Sequence, residues 1–505
     1  MSRQEVVQGH PPAGAGDPGS GEIRRWIGLA IGPALAVVTY LLLPDTLPPD
    51  GRATAAITVV MATLWVTEAI PLPVTALLPL VLFPVLGVSE ISDVTPPYAS
   101  DIIFLFMGGF VIGLAMQRWQ LHKRFALRTV LIVGTSPVRL IGGFMVAAAF
   151  LSMWVSNTAT AVMMFPVGLS VLGLVLQLGN GRGDPNFATA LMLGIAYAAS
   201  IGSLSTIIGT PPNAFLVGYL SESHGIDIGF GQWMLFGLPI SIVFLLIAWL
   251  VLTKLVYPPR LDELAGGREL LQRQLAELGP MSRGEKNALG VFVGAAASWI
   301  VLPLLADEEV MGEAALEWLA YADDSVIAIA AAALLFVLPA GRGVRTMNWE
   351  TAKQLPWGIL LLFGGGLALS AQFEETGLAS WLGEQVANLD VLPTLLFVAA
   401  AVVIVLLMTE LTSNTAMASV FVPILGAVAV GLGMDVLLLV VPAALAATCA
   451  FMLPVATPPN AIVFGSGHVT IGQMIKGGVW LNAIGIVLVT LAAYTVGGWV
   501  LGISF

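Results

Sequence analysis

Residues 151–166 read LSMWVSNTATAVMMFP, and residues 408–423 read MTELTSNTAMASVFVP. Both contain Ser-Asn-Thr-Ala, as Ser156-Asn157-Thr158-Ala159 and Ser413-Asn414-Thr415-Ala416, with a proline ten residues after the serine, Pro166 and Pro423. Each lies inside a longer apolar stretch, 139–176 and 391–432. Such a stretch exceeds the ~20 residues of one membrane crossing. A polar turn at its middle predicts a helix-turn-helix hairpin that enters and leaves on one side. Irregular backbone at membrane depth is tolerated only where protein buries it or it lines a wet cavity.

The repetition extends outward from these tips. Phe106-Met107-Gly108-Gly109 lies fifty residues before the first motif, and Phe363-Gly364-Gly365-Gly366 lies fifty before the second. Thr210-Pro211-Pro212-Asn213-Ala214 recurs as Thr457-Pro458-Pro459-Asn460-Ala461. Trp233 and Trp480 each follow their Asn by twenty residues. Four matches in one order make an internal repeat with an offset near 250 residues. The glycines predict close helix approach, and the two tryptophans read as interfacial anchors.

The rest of the chain is apolar too. It has 505 residues, 57% hydrophobic and only 10% charged. A soluble domain is about 25% charged, so this is a polytopic membrane protein. Spans are expected at 26–43, 53–70, 72–88, 101–118, 187–220, 233–257, 287–305, 324–340, 356–372, 436–467 and 478–502. Arg24-Arg25 before the first run also suits a signal peptide, but the run ends in Leu-Pro-Asp rather than a small-residue cleavage site. It reads as a retained span. Residues 1–23 read as a disordered cytoplasmic tail.

Eleven spans and two re-entrant hairpins, with the N-terminus inside, put 19 of the 20 Lys and Arg on the cytoplasmic side and leave only Arg52 outside. The outer loops are acidic: Glu90 and Asp93, then 307–324, then Glu374, Glu375 and Glu384. The C-terminus falls outside, and the two halves are inverted. Inverted repeats with interrupted helices mark transporters, and the interruptions mark the binding site. The cytoplasmic linker 258–286 carries Leu261, Leu264, Leu270, Leu271, Leu275 and Leu278, the pattern of an amphipathic helix on the membrane or on the protein.

Single Cys449 excludes a disulfide framework within the chain, and the four histidines show no metal-ligand spacing. A net charge of −11 argues against nucleic acid. Thr-Pro-Pro-Asn within an apolar run must break a helix, because two prolines remove two N–H donors. The break frees carbonyls, which suit cations, and N–H groups, which suit anions. Ser-Asn-Thr adds hydroxyls and an amide that can serve both ion types. No Lys or Arg lies in the centre of these stretches. Any anion there is held by neutral dipoles and helped by a hard cation such as Na⁺, which prefers oxygen. Glu410 reads as a ligand, a gate or a partnered structural carboxylate. Glu68, at a cytoplasmic span end, reads as structural. A channel or a membrane enzyme is disfavoured by the paired hairpins and the lack of a nucleophile–base pair in the spans.

Two Ser-Asn-Thr tips, two Thr-Pro-Pro-Asn breaks, Trp65-Val66-Thr67-Glu68-Ala69-Ile70-Pro71-Leu72 and Leu151-Ser152-Met153-Trp154 resemble the divalent anion/sodium symporter family over roughly residues 24–505. The resemblance implies an all-α, elevator-type homodimer in the cell (inner) membrane. Scaffold parts would be 24–135 and 287–385, and transport-domain parts 136–257 and 386–505. It implies uptake of C4-dicarboxylates such as succinate, malate and fumarate with Na⁺ and no organic cofactor. Dicarboxylate exchange, or sodium-coupled sulfate or citrate transport, is the alternative. A first Na⁺ site maps onto Ser152, Ser156, Asn157 and Gly209. A second maps onto Thr409, Thr412, Asn414 and Ala456, where Thr412 replaces an expected Ala. The anion maps onto Asn157, Thr158, Thr210, Asn414, Thr415, Thr457 and Pro458.

Overall fold

A computed structural model describes residues 18–134, 136–178, 183–261, 266–306, 311–312, 316, 319, 321–386 and 393–504. Residues 1–17 of the expected tail, the acidic run 307–310 and Leu264 of the linker lie outside them. Nearly all regular structure is helical; a two-stranded turn pairs Pro339–Gly341 with Val344–Arg345. The first helix starts at Pro18, inside the stretch expected to be tail, and runs to Leu42. Proline at a first helical position loses no hydrogen bond and carries the right φ.

Nine helices among the described residues are long and apolar enough to cross a membrane, and they include the second arm of each hairpin. Four expected spans take other forms. Pro49–Thr67 carries Asp50, Arg52 and four threonines. The stretch 72–88 forms two short helices, Leu72–Thr75 and Pro79–Val85. Asp324–Val337 has only 14 residues. Val436–Thr448 stops before Pro458–Phe464 begins.

The hairpins are formed. The first pairs Pro137–Ser152 with Asn157–Leu178, and the second pairs Thr394–Thr409 with Asn414–Gly431. Both proline pairs break their helices. Pro185–Ser203 gives way to an irregular segment before Pro211–His224. In the second half the interruption runs from Cys449 to Thr457. Each proline pair sits at the first two positions of the helix that follows, where missing N–H groups cost nothing.

The halves interlock. Asn157–Leu178 of the first hairpin packs on Pro458–Phe464, and Asn414–Gly431 of the second packs on Pro211–His224. Glycine permits the tightest crossings, as expected. A Cβ on Gly108 would lie 2.6 Å from the Ala328 backbone, and one on Gly365 would collide with the Ala76 carbonyl. In the linker, Gly267–Glu277 is helical. Leu271 is fully buried, and Leu261, Leu270, Leu275 and Leu278 pack on the main core, so this helix lies on the protein.

Trp233 is a correction. It is fully buried, not an interfacial anchor, and its Nε1 donates to Leu204 O at 3.1 Å. That carbonyl is freed by the first break. A carbonyl in hydrocarbon needs a donor, and the indole supplies it. Trp480 is exposed.

Candidate functional site

The two tips and the two breaks meet at one cavity of about 840 Å³. All seven residues expected to touch the anion line it: Asn157, Thr158, Thr210, Asn414, Thr415, Thr457 and Pro458. The wall opposite the tips comes from Glu68, Leu72, Pro73, Pro356, Gly358, Ile359 and Leu362. Sequence pattern did not point to that wall. Glu68 and Leu72 belong to the Trp65–Leu72 stretch, but Pro356, Gly358, Ile359 and Leu362 share no motif with it and join it through packing of distant helices.

The tips present helix N-termini. Asn157 opens its helix, with its Oδ1 accepting from Thr158 N at 2.9 Å, and Ser156 Oγ accepts from Ala159 N at 3.3 Å. First-turn N–H groups have no partner within a helix. With the helix dipole they favour an anion. Pro211–His224 directs a third N-terminus to the cavity. Among the described residues no Lys or Arg lines it.

The breaks are held open by their asparagines. Asn213 Nδ2 lies 3.3, 3.4 and 2.9 Å from the carbonyls of Ser203, Leu204 and Thr206. Asn460 Nδ2 lies 3.2 and 3.0 Å from those of Ala450 and Leu453. These amides replace the helical donors that the break removes. Thr210 Oγ1 and Thr448 Oγ1, 3.4 Å apart, join one break to the other.

Oxygen-rich corners flank the tips. In the second, Thr409 Oγ1 lies 2.8 Å from Asn414 Oδ1 and 2.7 Å from Ala447 O. Three oxygens converge there on one hydroxyl proton, because neither carbonyl can donate. A cation relieves such crowding. Thr412 donates its hydroxyl to Met408 O at 2.8 Å, which spends its proton and leaves the oxygen lone pairs as acceptors. Ala456 lines the cavity. In the first corner, Ser152 Oγ is buried without a hydrogen-bond partner. Gly209 sits against the Ser203 carbonyl where any Cβ would collide. The oxygens gathered at the second corner are of the kind a hard cation takes.

Glu410 is buried and clamps the second tip to the second break. Its carboxylate accepts from Phe451 N at 2.8 Å, Met452 N at 2.9 Å, Leu453 N at 3.1 Å and Asn482 Nδ2 at 2.7 Å. Of its three sequence readings, the partnered structural carboxylate is the one the geometry bears out. The equivalent residue in the first half is Met153 (410 − 257), whose carbonyl accepts from the Thr206 hydroxyl.

Glu68, read as structural, caps a helix end and also lines the cavity. It is exposed and is the only charged side chain on the cavity wall among the described residues. It also ends the helix Pro49–Thr67 in a left-handed conformation, φ 49°. For a residue with a Cβ that conformation costs about 1–2 kcal/mol. His224 is the last residue of its helix, with Nε2 2.7 Å from Tyr219 Oη.

Comparison with known proteins gives consistent matches. A family model described as the sodium:sulfate symporter transmembrane region matches residues 24–503. A sodium-dependent dicarboxylate transporter of Staphylococcus saprophyticus is 44% identical over 491 residues, covering 95% of this chain and 93% of that protein. The protein of the same name from Staphylococcus aureus is 45% identical over 487 residues, covering 95% and 92%. Among solved structures, the YdaH transporter of Alcanivorax borkumensis aligns with TM-score 0.55 at 16% identity, covering 81% of this chain and 88% of that one. The MtrF efflux pump of Neisseria gonorrhoeae aligns with TM-score 0.53 at 14% identity, covering 82% and 84%. The structural matches speak to fold alone.

Proposed function

Because the chain belongs to the sodium:sulfate symporter family, we propose that this membrane transporter takes up C4-dicarboxylates together with Na⁺. The observation that carries the reading is the single cavity in which both Ser-Asn-Thr tips and both Thr-Pro-Pro breaks meet, with no basic residue among the described lining. An anion bound there needs compensation, and the two oxygen corners beside it suit Na⁺. The choice of dicarboxylate over sulfate is supported by relatives of 44–45% identity that bear that name.

Na⁺ at Ser152, Ser156, Asn157 and Gly209, and at Thr409, Thr412, Asn414 and Ala456, orders the tips. The dianion then binds between them, against the helix N-termini. The hairpins and broken helices (136–257 and 386–505) move as one body across the scaffold (24–135 and 287–385), in a homodimer. The interlocked packing of the hairpins and half-helices supports such a body. The distribution of Lys and Arg supports an N-terminus inside and a C-terminus outside. In that orientation Glu68 and Pro356 lie at cytoplasmic helix ends, and the cavity faces inward. A dianion with two Na⁺ is neutral. A third Na⁺ would make uptake electrogenic, gaining ~2.3 kcal/mol per 100 mV.

The test is succinate accumulation in proteoliposomes, with malate, fumarate, citrate and sulfate as competitors. Accumulation is expected only under an inward Na⁺ gradient, with malate and fumarate competing. Uptake indifferent to Na⁺ would refute symport and favour exchange. Competition by sulfate or citrate alone would reassign the substrate.

A further inference from the structure

The geometry points to Glu68 as a fixed negative gate, a carboxylate on the stationary wall that weakens dianion binding only while the site faces that wall. The inference rests on the transport reading above. Three observations carry it. Glu68 is the sole charge on the cavity wall among the described residues, in a cavity otherwise lined by neutral polar and apolar groups. Among the described residues its side chain has no hydrogen-bond or ion-pair partner. Its backbone takes a conformation that favours glycine.

The strain is built in. Ala69 N donates to Leu64 O at 3.3 Å and Glu68 N lies 3.4 Å from Trp65 O, the hydrogen-bond pair of a Schellman helix end. Glycine is the usual residue at the left-handed position of that motif. Trp65 Nε1, donating to Leu72 O at 3.3 Å, fixes the turn from the other side. A strained residue persists where its surroundings over-determine it, and such residues cluster at functional sites. Here the strain does not serve packing, because the side chain is exposed. What it achieves is a carboxylate facing an anion site.

A rounded cavity of 840 Å³ is about 12 Å across. Across that distance, at an effective dielectric of ~60, a carboxylate weakens binding of a dianion about fivefold. The same charge attracts Na⁺. The dianion therefore leaves before the cations on this side, and rebinding from this side is discouraged. Final accumulation, set by the ion gradients, does not change. The asymmetry arises because Glu68 stays with the scaffold while the tips move away from it.

The test compares half-saturation for succinate from the two faces, in membrane vesicles of opposite orientation, for wild type, Glu68→Gln, Glu68→Gly and Glu68→Asp. The cytoplasmic-to-extracellular ratio is expected to fall about threefold to tenfold in the Gln and Gly variants and to stay near wild type in Asp. The shift should shrink at high ionic strength and for a monoanionic competitor. Gly keeps the test valid if Gln folds poorly, since the turn favours it. An unchanged ratio in both Gln and Gly, or equal shifts on both faces, overturns the gate. Absence of Na⁺-dependent succinate transport in the wild type would instead refute the underlying function.

Discussion

Glu410→Gln separates a mechanical clamp from an electrostatic one. The wild-type carboxylate takes four donors, three backbone N–H groups at Phe451, Met452 and Leu453 and the Asn482 amide. Glutamine keeps one acceptor oxygen but turns an N–H₂ group toward Leu453 N, which lies 3.1 Å from Oε2 in the wild type. One buried N–H group loses its partner, at a cost of about 1–3 kcal/mol. The charge itself has a second effect. Glu410 adjoins Thr409, whose hydroxyl sits in the second oxygen corner. A carboxylate ~8 Å from Na⁺ at an effective dielectric of ~20 contributes about 2 kcal/mol, or about thirtyfold in affinity. Two measurements on substrate-free protein in detergent read these effects apart. The apparent unfolding temperature without Na⁺ is expected to fall. The Na⁺ concentration that gives half of the thermal stabilisation is expected to rise at least tenfold. A lower unfolding temperature with Na⁺ half-saturation within twofold of wild type would refute the electrostatic role. An unchanged unfolding temperature would refute the clamp.

Asn157→Ala and Asn414→Ala should each lower succinate uptake about a hundredfold or more while the protein still elutes as a single folded species, since each removes a ligand proposed to bridge Na⁺ and anion. Near-normal uptake in both would take the tips out of the site. Asn213→Ala withdraws the amide from three carbonyls, of which Leu204 O keeps the Trp233 indole and Thr206 O keeps Gly209 N at 3.4 Å. A loss of about 2–4 kcal/mol of stability is expected, read as a lower unfolding temperature; an unchanged value would show that the break is held by other contacts.

The features that proved legible are those that violate the composition around them. Prolines and small polar residues inside an apolar run have few explanations, so Ser156 to Thr158, Ser413 to Thr415 and the two Thr-Pro-Pro-Asn breaks announced hairpin tips and interruptions that the helix ends reproduce. Their convergence on one cavity was implied by the duplication, because only equivalent positions in interlocked halves meet. The opposite wall was not legible. Leu72, Pro356 and Leu362 are ordinary apolar residues, and only packing of distant helices makes them cavity lining. Trp233 was misread for a related reason. A tryptophan near a helix start looks like an interfacial anchor until the neighbouring break reveals an unpaired carbonyl for it. The place of Glu68 on the cavity wall was not legible, because its left-handed φ has no signature in composition.

The repeats match in backbone but not in charge, and this orders the binding events. At equivalent positions the first tip offers the neutral Met153 carbonyl to its break, while the second offers the Glu410 carboxylate. Both clamp a tip to a break, yet only the second places a negative charge behind its oxygen corner. The other charge at the centre, Glu68, is negative too. No cation of the protein lines the cavity among the described residues. Before any ion binds, the centre therefore attracts Na⁺ and repels a dianion, and helix N-termini, worth up to ~2 kcal/mol each, must work against two carboxylates. Na⁺ must come first, and the second corner should fill before the first. Succinate added to Na⁺-free protein should accordingly give no thermal shift and no calorimetric heat of binding, with both appearing as Na⁺ is titrated in. Saturable succinate binding in choline chloride would refute this order and place the anion affinity in the helix N-termini alone.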